Sequence, residues 1–493
     1  MKFLISFFLS GVLLISCASS SSKDVKSESA AEQAPTPKIE QNVVVPAGED
    51  SVQMVFHLKN QPAGKTKLVG MLEDQRFIVD STEIDANGNF KISKPTLFPQ
   101  GFYYFILPGQ KALQLLIDKD QIFELSGDMA DINNTAKVNG SKCMELFYDN
   151  LANDANAKLA PKIRDVATKL KTKATSPEFK AALTQYNALL DQIDQQVEHY
   201  KKIAPNNFFT KFKVAGQNPR LHYPVKADGT LDRAKQIYDY RIHFWDGYDF
   251  SEKDLLRTPV FTNKMKRFFT ELVPLNQDSI NHYTDILMAK VDNYPDYYRA
   301  ISNWVALKFE PAHTNLMDGE AVYSHIINKY FTDEKATWST PDDLKKLRER
   351  AAEMTQSLLG MQAGNVTAKD RFKQNRTLYD LKGQLIVVFI YSPDCEHCRA
   401  QTPILEQIYK EWHPKGVDVY SIAANTTERE WNAFSAHFKL PWTDVFDVTN
   451  ASWYPKYFVD ITPEVYLLDQ NRKIVAKNLN VDQLPTLFAK YLK

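Results

Sequence analysis

Leu385-Ile386-Val387-Val388-Phe389-Ile390-Tyr391-Ser392-Pro393-Asp394-Cys395-Glu396-His397-Cys398 is the stretch on which the reading of this chain turns. Leu385 to Ile390 is a continuous apolar run, the pattern of a strand buried on both faces. A short loop, Tyr391 to Asp394, leads to a helix that starts at the cysteines and carries Ile404, Leu405, Ile408 and Tyr409 on its apolar face. A cysteine at a helix N-terminus lies beside free backbone N–H groups and the positive end of the helix dipole, which favour the thiolate. Cys398 falls one turn later, beneath Cys395. Two thiols so spaced can close a small disulfide: Cys395 would attack a substrate and Cys398 would resolve the mixed disulfide. An imidazolium at His397 would favour the thiolate and Glu396 would oppose it. Two blander readings are half a zinc site and a static structural disulfide. Zinc wants four ligands and the chain has no second cysteine pair, while Arg399 stands where haem attachment would need His.

Downstream, strand and helix patterns alternate, as in an α/β domain. Gly416 to Ala423 reads as a second buried strand, Glu428 to Phe438 as a helix, Glu464 to Asp469 as a strand after Ile461-Thr462-Pro463, and a last strand starts at Ile474. With these pieces in place, the chain resembles the thioredoxin superfamily, and within it the TlpA-like membrane-anchored thiol-disulfide oxidoreductases. The resemblance rests on the strand, the cysteine pair, Pro403 five residues after Cys398, and Pro463 with its strand. It implies a thioredoxin fold over residues 361–493, a cis bond before Pro463 facing the cysteines, and pairing of the Thr462 backbone with a substrate chain. It further implies protein thiols or disulfides as substrates and a membrane electron donor or thioredoxin-like reductant as partner. No cofactor or metal is expected. The chain also departs from the family, which usually has Trp where Asp394 stands. A buried Asp or Asn is common six residues before the first cysteine, and here that position is Phe389. Gln401 offers no base, so Glu396, Glu464 or water would have to take the Cys398 proton.

Working outward, residues 141–360 read as a helical domain. Ser176-Pro177-Glu178 is a cap, a first-turn Pro and a first-turn acid, and Phe179, Leu183, Tyr186, Leu190, Ile193, Val197 and Tyr200 follow as a heptad stripe. Such a stripe most often seals an intramolecular seam, and less often a dimer. Aromatic-rich Tyr240 to Phe250 and Tyr294 to Trp304 are most simply core. Cys143, without a partner nearby, reads as a small buried residue. Residues 51–135 have period two: Val52, Met54, Phe56 and Leu58 alternate with polar neighbours, and Asn87-Gly88 signals a hairpin. Further strands are expected at Phe77 to Val79, Gly101 to Leu107, Ala112 to Ile117 and Ile122 to Leu125, giving a small antiparallel sandwich or barrel. The fold class is therefore multidomain α+β: a β domain, a helical middle and a C-terminal α/β domain.

At the other end, Lys2 precedes an apolar run from Phe3 to Ile15, the h-region of a signal peptide over residues 1–16. Leu13-Leu14-Ile15-Ser16-Cys17 resembles the bacterial lipobox, which implies lipid on Cys17 and a chain held in the cell envelope facing the periplasm. Residues 17–50, rich in Ser, Ala, Glu, Lys and Pro, would be the tether. The 493 residues carry 60 Lys+Arg against 60 Asp+Glu, so no global charge favours nucleic acid. Four cysteines are too few for a disulfide scaffold of this size. The layout also looks similar to multidomain thioredoxin lipoproteins of Gram-negative bacteria. The leading expectation is a membrane-anchored oxidoreductase that reduces protein disulfides. The alternatives are a binding or scaffold lipoprotein with a redox-inactive docking module, and metal handling by Cys395, His397 and Cys398.

Overall fold

The structure, a computed structural model, describes residues 51–492. Cys17, the signal segment and the tether lie outside the described residues. No helix among those described is long and apolar enough to cross a membrane. The chain divides into two compact units at Phe268/Phe269, inside the stretch that reads as helical throughout.

The first unit opens with eight strands: β1 (Val52–Lys59), β2 (Gly64–Leu72), β3 (Gln75–Ile84), β4 (Asn89–Lys94), β5 (Gly101–Ile106), β6 (Ala112–Ile117), β7 (Ile122–Asp128) and β8 (Lys137–Asn139). They form two four-stranded sheets, ordered β4-β1-β7-β8 and β3-β2-β5-β6. The sheets pack through aromatic rings. Phe56 and Phe90, neighbours on one sheet, both meet Phe105 of the other edge-on at 5.1 and 5.0 Å. Two expectations are corrected. β1 and β7 run parallel, so one sheet is mixed. The Asn87-Gly88 turn does not close a simple hairpin, because β3 pairs with β2 while β4 pairs with β1. It is an Asx turn in which the Asp85 carboxylate receives the N–H groups of Asn87 and Asn89, both at 2.8 Å, and Gly88 takes φ +81°. Strands β2 and β4 escaped the sequence reading: β2 ends in a largely buried run that lacks clean alternation, and β4 is short.

Helices follow. Ser176 caps the helix Pro177–Ile203 by accepting the Phe179 N–H. Its buried residues are Phe179, Ala182, Tyr186, Leu189, Ile193, Val197 and Tyr200, so Ala182 and Leu189 take the places expected for Leu183 and Leu190. A straight helix drifts against a heptad repeat, and the two leucines pack at the margin of the seam with Ile163, Val166 and Leu170. The seam is thus intramolecular. Tyr240, Phe244, Trp245, Tyr248 and Phe250 are buried, as are Tyr297, Tyr298 and Ile301 in the second unit. Cys143 is wholly buried and its thiol donates to the Leu116 carbonyl at 3.3 Å.

The second unit runs from helices (Gln277–Lys290, Pro295–Lys308, Gly319–Tyr330 and Pro341–Met354) into a seven-stranded sheet. Its strands are β9 (Thr367–Asp370), β10 (Asn375–Thr377), β11 (Leu385–Tyr391), β12 (Val417–Ala423), β13 (Thr443–Phe446), β14 (Glu464–Leu468) and β15 (Ile474–Ala476). The order is β10-β9-β13-β12-β11-β14-β15. β11 lies between parallel β12 and antiparallel β14, and all seven of its residues are buried. Alternate residues supply two cores: Leu385, Val387, Phe389 and Tyr391 join Cys398 and Leu405, while Ile386, Val388 and Ile390 join Trp453 and Tyr457. Burying each such side chain contributes about 1.5–3 kcal/mol, which makes β11 the rigid base on which the cysteines stand.

Candidate functional site

β11 delivers the chain to the helix Glu396–Trp412, and Cys395 is the cap residue of that helix. Its sulfur accepts the Cys398 N–H at 3.3 Å, the position an Asp or Ser oxygen would ordinarily occupy. The loop is held from behind by Arg399, whose Nη1 donates to the Pro393 carbonyl at 3.2 Å. From 67 positions along the chain, the Thr462 carbonyl comes within 3.1 Å of the Cys395 thiol. The Thr462–Pro463 bond is cis. Cys395 is partly exposed, Cys398 is wholly buried, and both thiols are unlinked.

The two sulfurs differ in acidity for reasons visible in this geometry. Burial alone would raise Cys395, but hydrogen bonds from the Cys398 thiol and N–H, the Thr462 side chain and the His397 N–H outweigh it and hold the thiol below its ordinary value. Cys398 is pushed up to about 12, first by burial and then by its hydrogen bond to Cys395, against weaker opposition from the Ser392 backbone and Thr462. The outer sulfur is therefore the more acidic of the two, and the inner one keeps its proton.

The remaining expected residues fall out unevenly. Glu396 and His397 are exposed, and His397 reaches Cys395 through its backbone N–H rather than through its ring. Pro463 and Thr462 stand at the pair. Glu464 is buried but turned to other work: it accepts the Asn478 N–H at 3.1 Å. Gln401 ties its helix to the C-terminal segment by accepting the Val481 N–H at 3.2 Å. Phe389 is 1% exposed and its ring stacks on Tyr391 at 5.6 Å.

One buried carboxylate was missed. Asp444 lies on β13 in the same sheet row as Phe389, with Ser421 of β12 between them. It receives Ser421 Oγ at 2.6 Å, Trp431 Nε1 at 2.7 Å, the Tyr391 hydroxyl at 3.0 Å, and the Ser435 hydroxyl. Burial raises its pKa and the four donors work against that. Relative to the position of Phe389, the acid has moved two strands, roughly 9–10 Å at ordinary strand spacing. The only signal was an Asp inside a short apolar run, Thr443 to Phe446.

Residues 359–477 match the AhpC/TSA family. The C-terminal region is a thioredoxin-like domain. Residues 55–147 match a domain of unknown function, DUF4369. The thiol-disulfide oxidoreductase ResA of Bacillus cereus is 25% identical over 119 residues, 24% of this chain and 68% of that protein. Among solved structures, the thioredoxin domain of a thiol-disulfide oxidoreductase from Bacteroides vulgatus is 27% identical, covering 27% of this chain and 98% of that one, with a TM-score of 0.26. A thiol:disulfide interchange protein from Bacteroides sp. is 28% identical over 28% of this chain and 91% of its own, also with a TM-score of 0.26. By the family match and the ResA relative, the thioredoxin-like domain is similar to proteins named as thiol-disulfide oxidoreductases, and the fold class expected for the chain holds in its main lines.

Proposed function

We propose that this chain is an envelope-tethered thiol-disulfide oxidoreductase that reduces disulfides of protein substrates. The observation that carries the reading is the asymmetry of the pair: a partly exposed, acidified Cys395 at the Thr462 carbonyl and a buried, protonated Cys398 below it. The Cys395 thiolate attacks one sulfur of a substrate disulfide, the substrate S–S bond breaks, and the departing substrate thiolate takes a proton. Cys398 then loses its proton and attacks Cys395 Sγ. The mixed disulfide breaks, the second substrate thiol leaves, and the enzyme pair is left oxidised. Two electrons and two protons have passed to the substrate. A membrane electron donor or a thioredoxin-like reductant returns them. Thr462 would pair with the substrate backbone beside the reacting sulfurs.

The deciding experiment uses the full chain with Cys398→Ser. Mixed disulfides between Cys395 and substrate proteins accumulate if the reading is right, and insulin disulfides are reduced by the parent chain but not by the double-serine variant. Absence of both results overturns it. An equilibrium potential near about −270 mV fits a reductase, and one near about −120 mV an oxidase. Lipid on Cys17 is tested by fatty-acid labelling of the parent chain against Cys17→Ala. A binding or scaffold protein is the second reading, favoured by Phe389 filling with hydrocarbon the place beneath the pair where a carboxylate would assist exchange.

A further inference from the structure

Residues 458–463, which present Thr462 to the cysteines, have no regular secondary structure of their own. Side chains from the helical segment of the same unit close on this stretch from both sides. Ahead of the turn, Ser357 Oγ accepts the Phe458 N–H at 3.1 Å and lies 3.1 Å from the Tyr466 hydroxyl, which donates to the Phe458 carbonyl at 2.6 Å. Arg350 Nη2 reaches the two Asp460 oxygens at 3.3 and 3.2 Å while holding Glu310 at 3.2 Å. Its guanidinium sits 5.7 Å over the Phe458 ring.

Behind the turn, the residue next to Pro463 is the buried Glu464. Asn478 gives its N–H to Glu464 at 3.1 Å and its side-chain amide to the two Glu320 oxygens at 3.1 and 3.0 Å. Lys477, 0% exposed, places Nζ 3.2 Å from Glu320 and 3.8 Å from Asp318. Asp318 caps the helix Gly319–Tyr330 through the Ala321 N–H at 3.2 Å and accepts the Leu359 N–H at 2.8 Å. Three carboxyl groups and one amine are thereby taken out of water at one place.

Stability alone gives little reason for such a cluster, since apolar side chains of similar volume would serve as well. What directional, charge-assisted bonds add is position: a loop held by them is fixed more closely than one held by apolar packing. We propose that this bracket makes the helical segment 309–357 a positioning part of the redox centre, with Arg350 holding Asp460 and Glu320 holding Lys477 and Asn478 so that Thr462 stays in contact with Cys395. The inference rests on the thiol-exchange reading of the pair. Displacing the segment would withdraw Thr462 from the Cys395 sulfur, both the carbonyl 3.1 Å away that accepts the thiol proton and the side chain that helps to lower the thiol, which gives the helical region a physical means of setting the reactivity of a site on another layer of the fold.

The test follows alkylation of Cys395 by iodoacetamide across pH in the reduced full chain, read by peptide mass mapping, for the parent, Arg350→Ala and Glu320→Gln. The expected result is a reaction rate at pH 7 changed by about three- to tenfold, with the pH profile displaced by up to about one unit in each variant. Should Arg350→Ala fail to fold, Glu320→Gln keeps the side-chain shape and carries the test alone. A merely structural role lowers Tm and leaves the profile where it was, and profiles within twofold of the parent overturn the proposal. A parent chain that alkylates at Cys395 yet never reduces insulin would instead count against the oxidoreductase reading, so the two failures are distinguishable.

Discussion

Selective alkylation measures the asymmetry of the cysteine pair directly. Cys398 is pushed up to about 12 from an ordinary 9.0, while Cys395 lies below 9.0. A gap of at least about three units means at least about 1,000-fold less thiolate on Cys398 at pH 7. The less acidic thiolate is the stronger nucleophile, with a Brønsted slope of about 0.4–0.5, which returns roughly 16- to 30-fold. The net preference from ionisation is therefore about 30- to 60-fold, and the zero exposure of Cys398 adds to it. The assay treats the reduced full chain with limiting iodoacetamide at pH 7 and counts singly modified peptides by mass spectrometry. Cys143, buried and donating to the Leu116 carbonyl, should stay unmodified on the same timescale, and guanidinium should level all three sites. A Cys395 to Cys398 ratio under about tenfold would refute the argument from capping and burial.

Three other outcomes are expected. Asp444→Asn presents one carbonyl to four buried donors, so at least one donor loses its acceptor and urea unfolding should show a loss of about 3 kcal/mol; a loss under about 1 kcal/mol would contradict the network. Glu464 is raised from 4.5 to about 8, chiefly by burial. A raised folded value means that its stability contribution is complete below about pH 4.5 and is lost as pH rises through about 8, so Glu464→Gln should match the parent Tm at pH 5 and exceed it by several degrees at pH 9. An equal fall of Tm in both proteins between those pH values would count against this assignment. Phe389→Asp places a carboxylate on the core face that holds Cys398. It should destabilise the domain by about 3–5 kcal/mol and quicken release of the mixed disulfide in stopped-flow measurements; unchanged release would show that proton removal from Cys398 does not limit turnover.

The local features of the site were legible because they are properties of adjacent residues. An apolar run of strand length, a loop and an amphipathic helix with cysteines at its first turn suffice to place Cys395 at a cap and Cys398 beneath it, and the structure repeats that order. The helix Glu428–Phe438 was likewise read to its ends, and the structure adds the reason in a capping box between Thr427 and Glu430. β9, β10 and β13 were not read, since each is short and takes its place by pairing with distant chain.

By itself, then, the sequence determined the period-two and helical regions, the cysteine pair and the side of the helix on which each sulfur would lie, since these follow from periodicity within a few turns of chain. Which distant groups meet the pair was settled by the tertiary structure alone. Thr462 reaches Cys395 because β14 pairs with β11. Asp444 meets the Tyr391 hydroxyl and Ser421 because β12 and β13 continue the row of β11. Lys477 finds three acids because the start of the helix capped by Asp318 meets the residues that follow β15, beside Glu464. A buried charge takes its meaning from what surrounds it, and those surroundings exist only once strands from separate parts of the chain have been brought into register.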